Sequence, residues 1–220
     1  TKNGRFDMAG GRLRRAMIEA IRSNRDRLDA LEQSPYTLCK SAPVTLPPCV
    51  AIGPRGGTLI TPRHALHAAH YPLRAGDIVA YEWGQRMVVA VSVVTGTDLA
   101  VATLDEPADC EPALTLPWDW AVTLRTDRFG RHLRRPIRCL GTRASGEVVE
   151  GELRVLGENY GADGPWSSGD SGQPVWLPLD RPVLIGCHLY AGYGPAVHHY
   201  WREVARITGA DGVAAEEAVW

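Results

Sequence analysis

Lysine is almost missing from this chain: of 24 basic residues only Lys2 and Lys40 are lysines and the rest are arginines. With 25 acidic residues the net charge is -1, so no surplus of positive charge points to nucleic acid or to an anionic membrane surface as a partner. We read the arginine excess as genome composition. No apolar run approaches membrane-spanning length. The opening TKNGRFDMAGGRLRR has neither an initiator methionine nor an apolar signal core, so residue 1 is expected to come from a longer polypeptide, any targeting segment having gone with the removed part. Cysteine is sparse and scattered: Cys39, Cys49, Cys110, Cys139 and Cys187 are odd in number and form no CxxC pair. That excludes a full disulfide framework and leaves at least one thiol free in a monomer, which favours a reducing, cytoplasmic compartment. Cys39 with Cys49 is the one pair that local spacing allows. What is present is the composition of a soluble globular protein, 220 residues with 45% hydrophobic and 22% charged, enough to bury a sizeable core.

Residues 11–32, GRLRRAMIEAIRSNRDRLDALE, place Leu13, Met17, Ile18, Ile21, Leu28 and Leu31 on one stripe, which predicts an amphipathic helix ended before Pro35. We take it as a packing helix; a partner-binding or propeptide arm is the other use of such a stripe. From about residue 44 the pattern changes to short β-rich runs cut by turn residues: CVAIG, TLIT, DIVAYEW, RMVVAVSVV and DLAVATL, then PIRCLGT, EVVEGELRVLG, QPVWLPL and PVLIGCHLY. Strands at this spacing without intervening helices predict an all-β barrel or sandwich. Between the two groups, EPALTLPWDWAVTLRTDRFGRHLRRP reads as a crossing from one half to the other. HYWREVARITG predicts a short C-terminal helix and DGVAAEEAVW a tail. The organisation is therefore an N-terminal helical arm (1–36), a β domain (37–207, with halves at about 44–122 and 136–200) and a tail (208–220).

GPWSSGDSGQPVW, residues 164–176, sets Ser171 in a glycine-flanked turn before a strand. A serine hydroxyl is a weak nucleophile and needs a base. Of seven histidines, His70 is the best placed, at the end of TLITPRHALHAAHY, where an apolar strand turns into a small-residue segment. The base in turn needs a carboxylate to fix its tautomer and stabilise the imidazolium. Asp98, at the mouth of the apolar run DLAVATL, is that candidate; Asp77, Asp105, Asp109 and Asp119 lie in turns or beside prolines and read as solvated or capping residues.

In the order His70, Asp98, Ser171, the three stretches resemble the chymotrypsin-like (trypsin-like) serine peptidases. RHALHAAHY is similar to that family's segment ending Thr-Ala-Ala-His-Cys, DLAVATL to its Asp-Ile-Ala-Leu strand and GDSGQP to its Gly-Asp-Ser-Gly-Gly-Pro. The resemblance covers roughly residues 45–207. It implies two six-stranded antiparallel barrels with the site in the cleft between them, Ser171 as nucleophile, His70 as general base and Asp98 as its orienting acid. It also implies an oxyanion hole from the backbone N–H groups of Gly169 and Ser171, such donors contributing about 3 kcal/mol each in the transition state. Tyr71 and Ser167 stand where many secreted members carry disulfide cysteines, and Gln173 replaces the second glycine. No Ile-Val-Gly-Gly type segment is present whose freed amino terminus would pair with Asp170, so a buried Asp170 is expected to take an arginine such as Arg138 or Arg143.

By the same resemblance PVLIGCHLYAG forms the wall of the specificity pocket. Leu189, Tyr190 and Ala191 then offer backbone groups to an extended substrate, and His188 points into the pocket. Bacterial glutamyl endopeptidases carry a histidine there, and Ser168 also matches a pocket serine in some of them. Pro165 aligns with the pocket floor, where cleavage after Arg or Lys would need an acid, unless an insertion brings Asp163 into place. The expectation is therefore a serine endopeptidase cutting protein substrates after Glu, or Gln. Cleavage after Arg or Lys, and a catalytically silent fold that binds a peptide or partner, are the alternatives. No cofactor is implied. His64, His67 and His70 recur at every third residue and His198 and His199 are adjacent, spacings that fit no zinc pattern. Trp118, Trp120, Trp166 and Trp176 read as core or interface fillers, with Trp166 near enough to Ser171 to line the pocket.

Overall fold

In residues 148–156, VVEGELRVL, buried and exposed positions alternate along the run, the period of a strand with one face on a core. By contrast LAVATL, PVWLP and PVLIGC are buried at nearly every residue, as strands covered on both faces are. A computed structural model describes residues 49–52, 55–81, 84–109, 111–115, 136–178, 182–190 and 192–209. The 11–32 helix, Pro35, Cys39, Cys110, most of the crossing segment with Trp118, Trp120 and Asp119, Ala191 and the tail lie outside the described residues.

The chain is mostly β, in two curled sheets. Strands β1 (Cys49–Ile52), β2 (Arg55–Thr61), β3 (His64–Ala68), β4 (Ile78–Tyr81), β5 (Gly84–Val93) and β6 (Leu99–Leu104) close a barrel in the order β1-β2-β3-β6-β5-β4. After β7 (Leu114–Thr115), strands β8 (Ile137–Thr142), β9 (Val148–Leu156), β10 (Asn159–Asp163), β11 (Pro174–Pro178), β12 (Pro182–Cys187) and β13 (Tyr193–Pro195) form the second sheet. Its order is β13-β10-β9-β8-β11-β12-β7, and β7 joins β12 in parallel. The two halves thus differ from the expected matched pair: the first is a closed six-stranded barrel, while the second is a seven-stranded sheet that recruits a short strand from the crossing.

The first barrel is filled by Leu59, Ala65, Val79, Tyr81, Val88, Ala102 and Leu104, and the second sheet covers Ile137, Leu153, Tyr160, Val175, Val183 and Ile185. A third cluster unites them: Ile60, Leu66, Leu99 and Val101 from the first half pack with Leu140, Trp176, Leu184 and Cys187 from the second. Each such large side chain contributes about 1.5–3 kcal/mol when fully buried, so the halves are fastened by apolar packing. Cys139 and Cys187 are both buried, and burial, with Glu150, Glu152 and Asp163 nearby, pushes the Cys139 thiol up to about 12.

After a 3-10 turn at Val197–His199, the C-terminal helix α1 (Trp201–Thr208) forms as the sequence predicts. It ends at Gly209, whose left-handed φ of 64° returns its N–H to the carbonyl of Ala205, a terminus that glycine adopts without strain. Val204 enters the shared core, and Glu203 accepts the Thr95 hydroxyl at 3.1 Å, fastening the helix to the β5–β6 turn. Among the described residues no helix is long and apolar enough to cross a membrane.

Candidate active site

Antiparallel pairing of β3 with β6 sets Ala68 opposite Leu99, so the residues just beyond β3 and just before β6 emerge at one rim of the barrel. The Ala69 N–H donates to the Asp98 carbonyl at 2.7 Å, extending the ladder by a step. Asp98 itself is presented by the turn TGTD. Gly96 takes a φ of 76° there, and the Thr97 hydroxyl donates to the Val94 carbonyl at 2.9 Å while accepting the Leu99 N–H at 3.0 Å. The carboxylate then grips His70 twice: Oδ1 accepts the backbone N–H at 2.8 Å and Oδ2 accepts from Nδ1 at 2.6 Å.

This double contact fixes the chemistry of the imidazole. An ionised carboxylate only accepts, so Nδ1 carries a proton and, in the neutral ring, Nε2 presents a lone pair. No described residue forms a hydrogen bond with Nε2. Both side chains are partly open to solvent, His70 at 31% and Asp98 at 26%, so the aspartate is less withdrawn from water than its place at the mouth of an apolar strand predicts. Tyr71 lies 4.8 Å from the His70 ring, centroid to centroid, and Tyr190 stacks on it at 5.9 Å and 19°.

Ser171 comes from the other half. Its turn leads into β11 and is laced to the residues after β12: the Gly172 N–H donates to the His188 carbonyl at 2.6 Å, and the His188 N–H to the Gln173 carbonyl at 2.8 Å. Gly172 has a φ of 87°, and a Cβ there would collide with the carbonyl oxygen of Gly56 on β2. Glycine is therefore required both by the backbone and by the close approach of the first barrel. Gln173, where the resemblance expects glycine, is accommodated because its buried side chain lies over the bare backbone of Gly56.

In this arrangement the Ser171 hydroxyl donates to the carbonyl of Leu189 at 3.1 Å, and no hydrogen bond among the described residues joins it to His70. The Gly169 N–H turns back to the carbonyl of Ser167 at 2.8 Å, while no described residue accepts the N–H of Ser171. Of the two donors assigned by resemblance to an oxyanion hole, one is thus engaged within its own turn.

Asp170 is 2% exposed and anchors this turn. Oδ1 accepts the Ala144 N–H at 2.9 Å; Oδ2 accepts the Ser167 N–H at 2.8 Å and its hydroxyl at 3.3 Å, with Arg143 Nε 3.7 Å away. Burial works to raise the carboxyl, but the N–H groups of Ala144 and Ser167, the Ser167 hydroxyl and Arg143 outweigh it and hold Asp170 below the usual carboxylate range. Of the two arginines named from sequence, Arg143 takes this place; Arg138 pairs with Glu150.

The specificity candidates differ in exposure. His188 is fully buried, its ring 4.4 Å from that of Trp166, with no hydrogen bond to either nitrogen. Ser168 and Pro165 are exposed, as is Asp163, which lies in β10 opposite Glu152. Leu189 is buried and its N–H donates to the Tyr193 carbonyl at 2.9 Å; Tyr190 is 67% exposed and exchanges backbone hydrogen bonds with Tyr193. Other polar residues have local duties. His64 meets the Thr61 hydroxyl at 2.6 Å and His67 the Ala68 carbonyl at 3.0 Å. Asp77 accepts the Arg74 N–H and Asp105 the N–H groups of Met87 and Glu106, the capping roles read from sequence.

His188 makes a prediction of its own. Burial lowers its pKa to about 4, against a small opposing pull from Asp170. A histidine depressed in the folded state favours the neutral form, so the unfolded chain binds the extra proton and stability falls as pH drops from about 6.5 toward 4. The loss reaches about 3 kcal/mol for this group at full protonation of the unfolded chain. Urea unfolding at pH 7 and pH 4.5 should show it, and His188→Phe should flatten the difference; an unchanged slope in the variant would assign the acid sensitivity elsewhere.

No protein-family model matches this chain, and no curated protein matches it. The sequence sets Trp166 near enough to Ser171 to line the pocket, but its contact with His188, that of Tyr190 with His70 and that of Ala144 with Asp170 have no local signal, because each joins segments far apart in the chain.

Proposed function

We propose that the chain is a serine endopeptidase that cleaves protein substrates through His70, Asp98 and Ser171. The observation that carries this is the double grip of Asp98 on His70, 2.6 Å to Nδ1 and 2.8 Å to the backbone N–H, which leaves Nε2 as the basic nitrogen. In the reaction Ser171 Oγ attacks the acyl carbon as Nε2 takes its proton; the imidazolium, steadied by Asp98, then protonates the leaving amine, and water repeats the sequence to release the acyl group. The N–H groups of Gly169 and Ser171 receive the oxyanion once Gly169 turns outward from Ser167. No cofactor enters the chemistry.

For the residue before the scissile bond we propose Glu, or Gln. His188 supports it, since both its ring nitrogens lack a hydrogen-bond partner and an acid or amide would supply one at the cost of modest desolvation. Pro165 offers no counter-charge to Arg or Lys. The test is a peptide library digested with the full chain. Cuts after Glu or Gln are expected, and cuts mainly after Arg or Lys would remove His188 from the pocket. A catalytically silent binding module is the second reading, favoured by one observation: the Ser171 hydroxyl is given to the Leu189 carbonyl at 3.1 Å instead of to a base.

A further inference from the structure

Trp166 sits in an unusual bed. A Cβ added at Gly141 or Gly164 would strike its indole ring first, and one at Gly151 or Gly192 would strike the ring as well as the carbonyl oxygen of Asp163 or Ala162, so four glycines spread along the second half let the ring lie where it does. The indole N–H donates to the Ala162 carbonyl at 2.5 Å. The indole packs against the His188 ring with centroids 4.4 Å apart and planes tilted by 43°, and the buried His188 nitrogens have no hydrogen-bond partner. Yet the occupant is not a strand residue: Trp166 belongs to the irregular segment between β10 and Ser171 and is only half-buried. The space between these strands and turns is thus filled by a loop side chain, packed against a histidine whose ring nitrogens lack partners.

We infer that Trp166 is a built-in plug of the His188 pocket, which an acidic or amide side chain of the substrate must displace. The inference rests on the peptidase assignment and adds to it a residue that sets specificity and restrains the site. The same segment carries the restraint to the nucleophile. Trp166 is bonded directly to Ser167, and the Ser167 carbonyl accepts the Gly169 N–H at 2.8 Å while the Ser167 N–H is held by Asp170. With the indole in its cradle, Ser167 is fixed and Gly169 points inward. Withdrawal of the indole lets the Ser167–Ser168 peptide turn about the Asp170 anchor and frees Gly169 for the oxyanion, so indole position and donor alignment change together as one two-state element. A carboxylate or amide oxygen entering the emptied cradle accepts a hydrogen bond from His188, compensation that the indole ring cannot offer there.

The test separates the plug from the peptidase. In the full chain carrying Ser171→Ala, 5-fluorotryptophan is incorporated and the Trp166 fluorine resonance is assigned by its loss in Trp166→Phe. Addition of an uncleaved peptide ending in Glu should shift that resonance toward its solvent-exposed position, and peptides ending in Arg or Ala should not. An unmoved resonance with the Glu peptide overturns the inference, as would an equal shift with all three. Separately, in the chain with Ser171 intact, Trp166→Ala and Gly164→Ala, whose added Cβ would meet Trp166 alone, should both speed labelling by a fluorophosphonate. About tenfold or more is expected if the open state is a minor one. Slower labelling in variants that remain folded overturns the plug. Absence of labelling in every form defeats the peptidase assignment, while the fluorine shift still decides the plug.

Discussion

Asp98→Asn should lower kcat by about 10⁴ while leaving the fold intact. The asparagine can keep its oxygen on the His70 backbone N–H, now made to Oδ1 at 2.8 Å. Its amide nitrogen then faces Nδ1 at the position where Oδ2 accepts at 2.6 Å. Two donors cannot face each other, so the ring proton moves to Nε2 and His70 can no longer take the proton of Ser171. Stability should change by less than about 1 kcal/mol, because both side chains are partly exposed and such contacts are screened. Turnover of a peptide substrate by wild type and variant, beside their thermal unfolding, decides it. A loss smaller than tenfold would take Asp98 out of the site, and a loss accompanied by unfolding would make its role structural.

Asp170→Ala should be the most destabilising single change near Ser171. It removes the acceptor of two backbone N–H groups, those of Ala144 and Ser167, in a place where the side chain is 3% exposed. Arg143 already meets Glu147 through Nη1 at 3.2 Å and lies 3.7 Å from Asp170, so most of the cost falls on the orphaned N–H groups, about 3 kcal/mol in all. The turn that holds Gly169 and Ser171 loses its anchor, and labelling of Ser171 should slow by about tenfold or more. Asp170→Asn should cost less, since its one oxygen can serve one of the two donors. The pH dependence follows from the depressed carboxyl: its contribution is complete above the ordinary carboxylate range near pH 4 and is lost as pH falls through the lower folded value. That window lies below the one assigned to His188, so the two variants should flatten different parts of the acid-unfolding curve. Wild-type stability in Asp170→Ala would mean that Ala144 and Ser167 find other acceptors.

Most strands were readable because β-branched and apolar runs state their own period. Those that escaped have sequences that speak against a strand. HALHA, in β3, is alanine and histidine, yet it pairs with both β2 and β6 and is placed by that pairing. NYGAD and YGP, in β10 and β13, carry the residues of turns. They become strands because Tyr160 is fully buried in the second core and the chain pairs around it. The seventh strand of that sheet is two residues long and lies parallel to β12, a pairing that no local pattern announces.

The candidate site divides along the same line. His70 and Asp98 were found by residue type and position, and the structure joins them because β3 and β6 are neighbours. Ser171 was found by its glycine-flanked turn, but the partner of its hydroxyl, Leu189, depends on how β11 and β12 bring two distant segments together. The glycines around Trp166 are spread from 141 to 192, and only the folded chain gathers them.

The most direct measurement is labelling of the full chain by a fluorophosphonate, with Ser171→Ala as control and the modified residue identified by peptide mapping. A single adduct on Ser171, absent in Ser171→Ala and at least about 10³-fold slower to form in His70→Ala, is the result predicted for a nucleophile activated by His70. No adduct on Ser171 in the folded protein, with or without a Glu-containing peptide to displace Trp166, would contradict it and leave the chain a binding module.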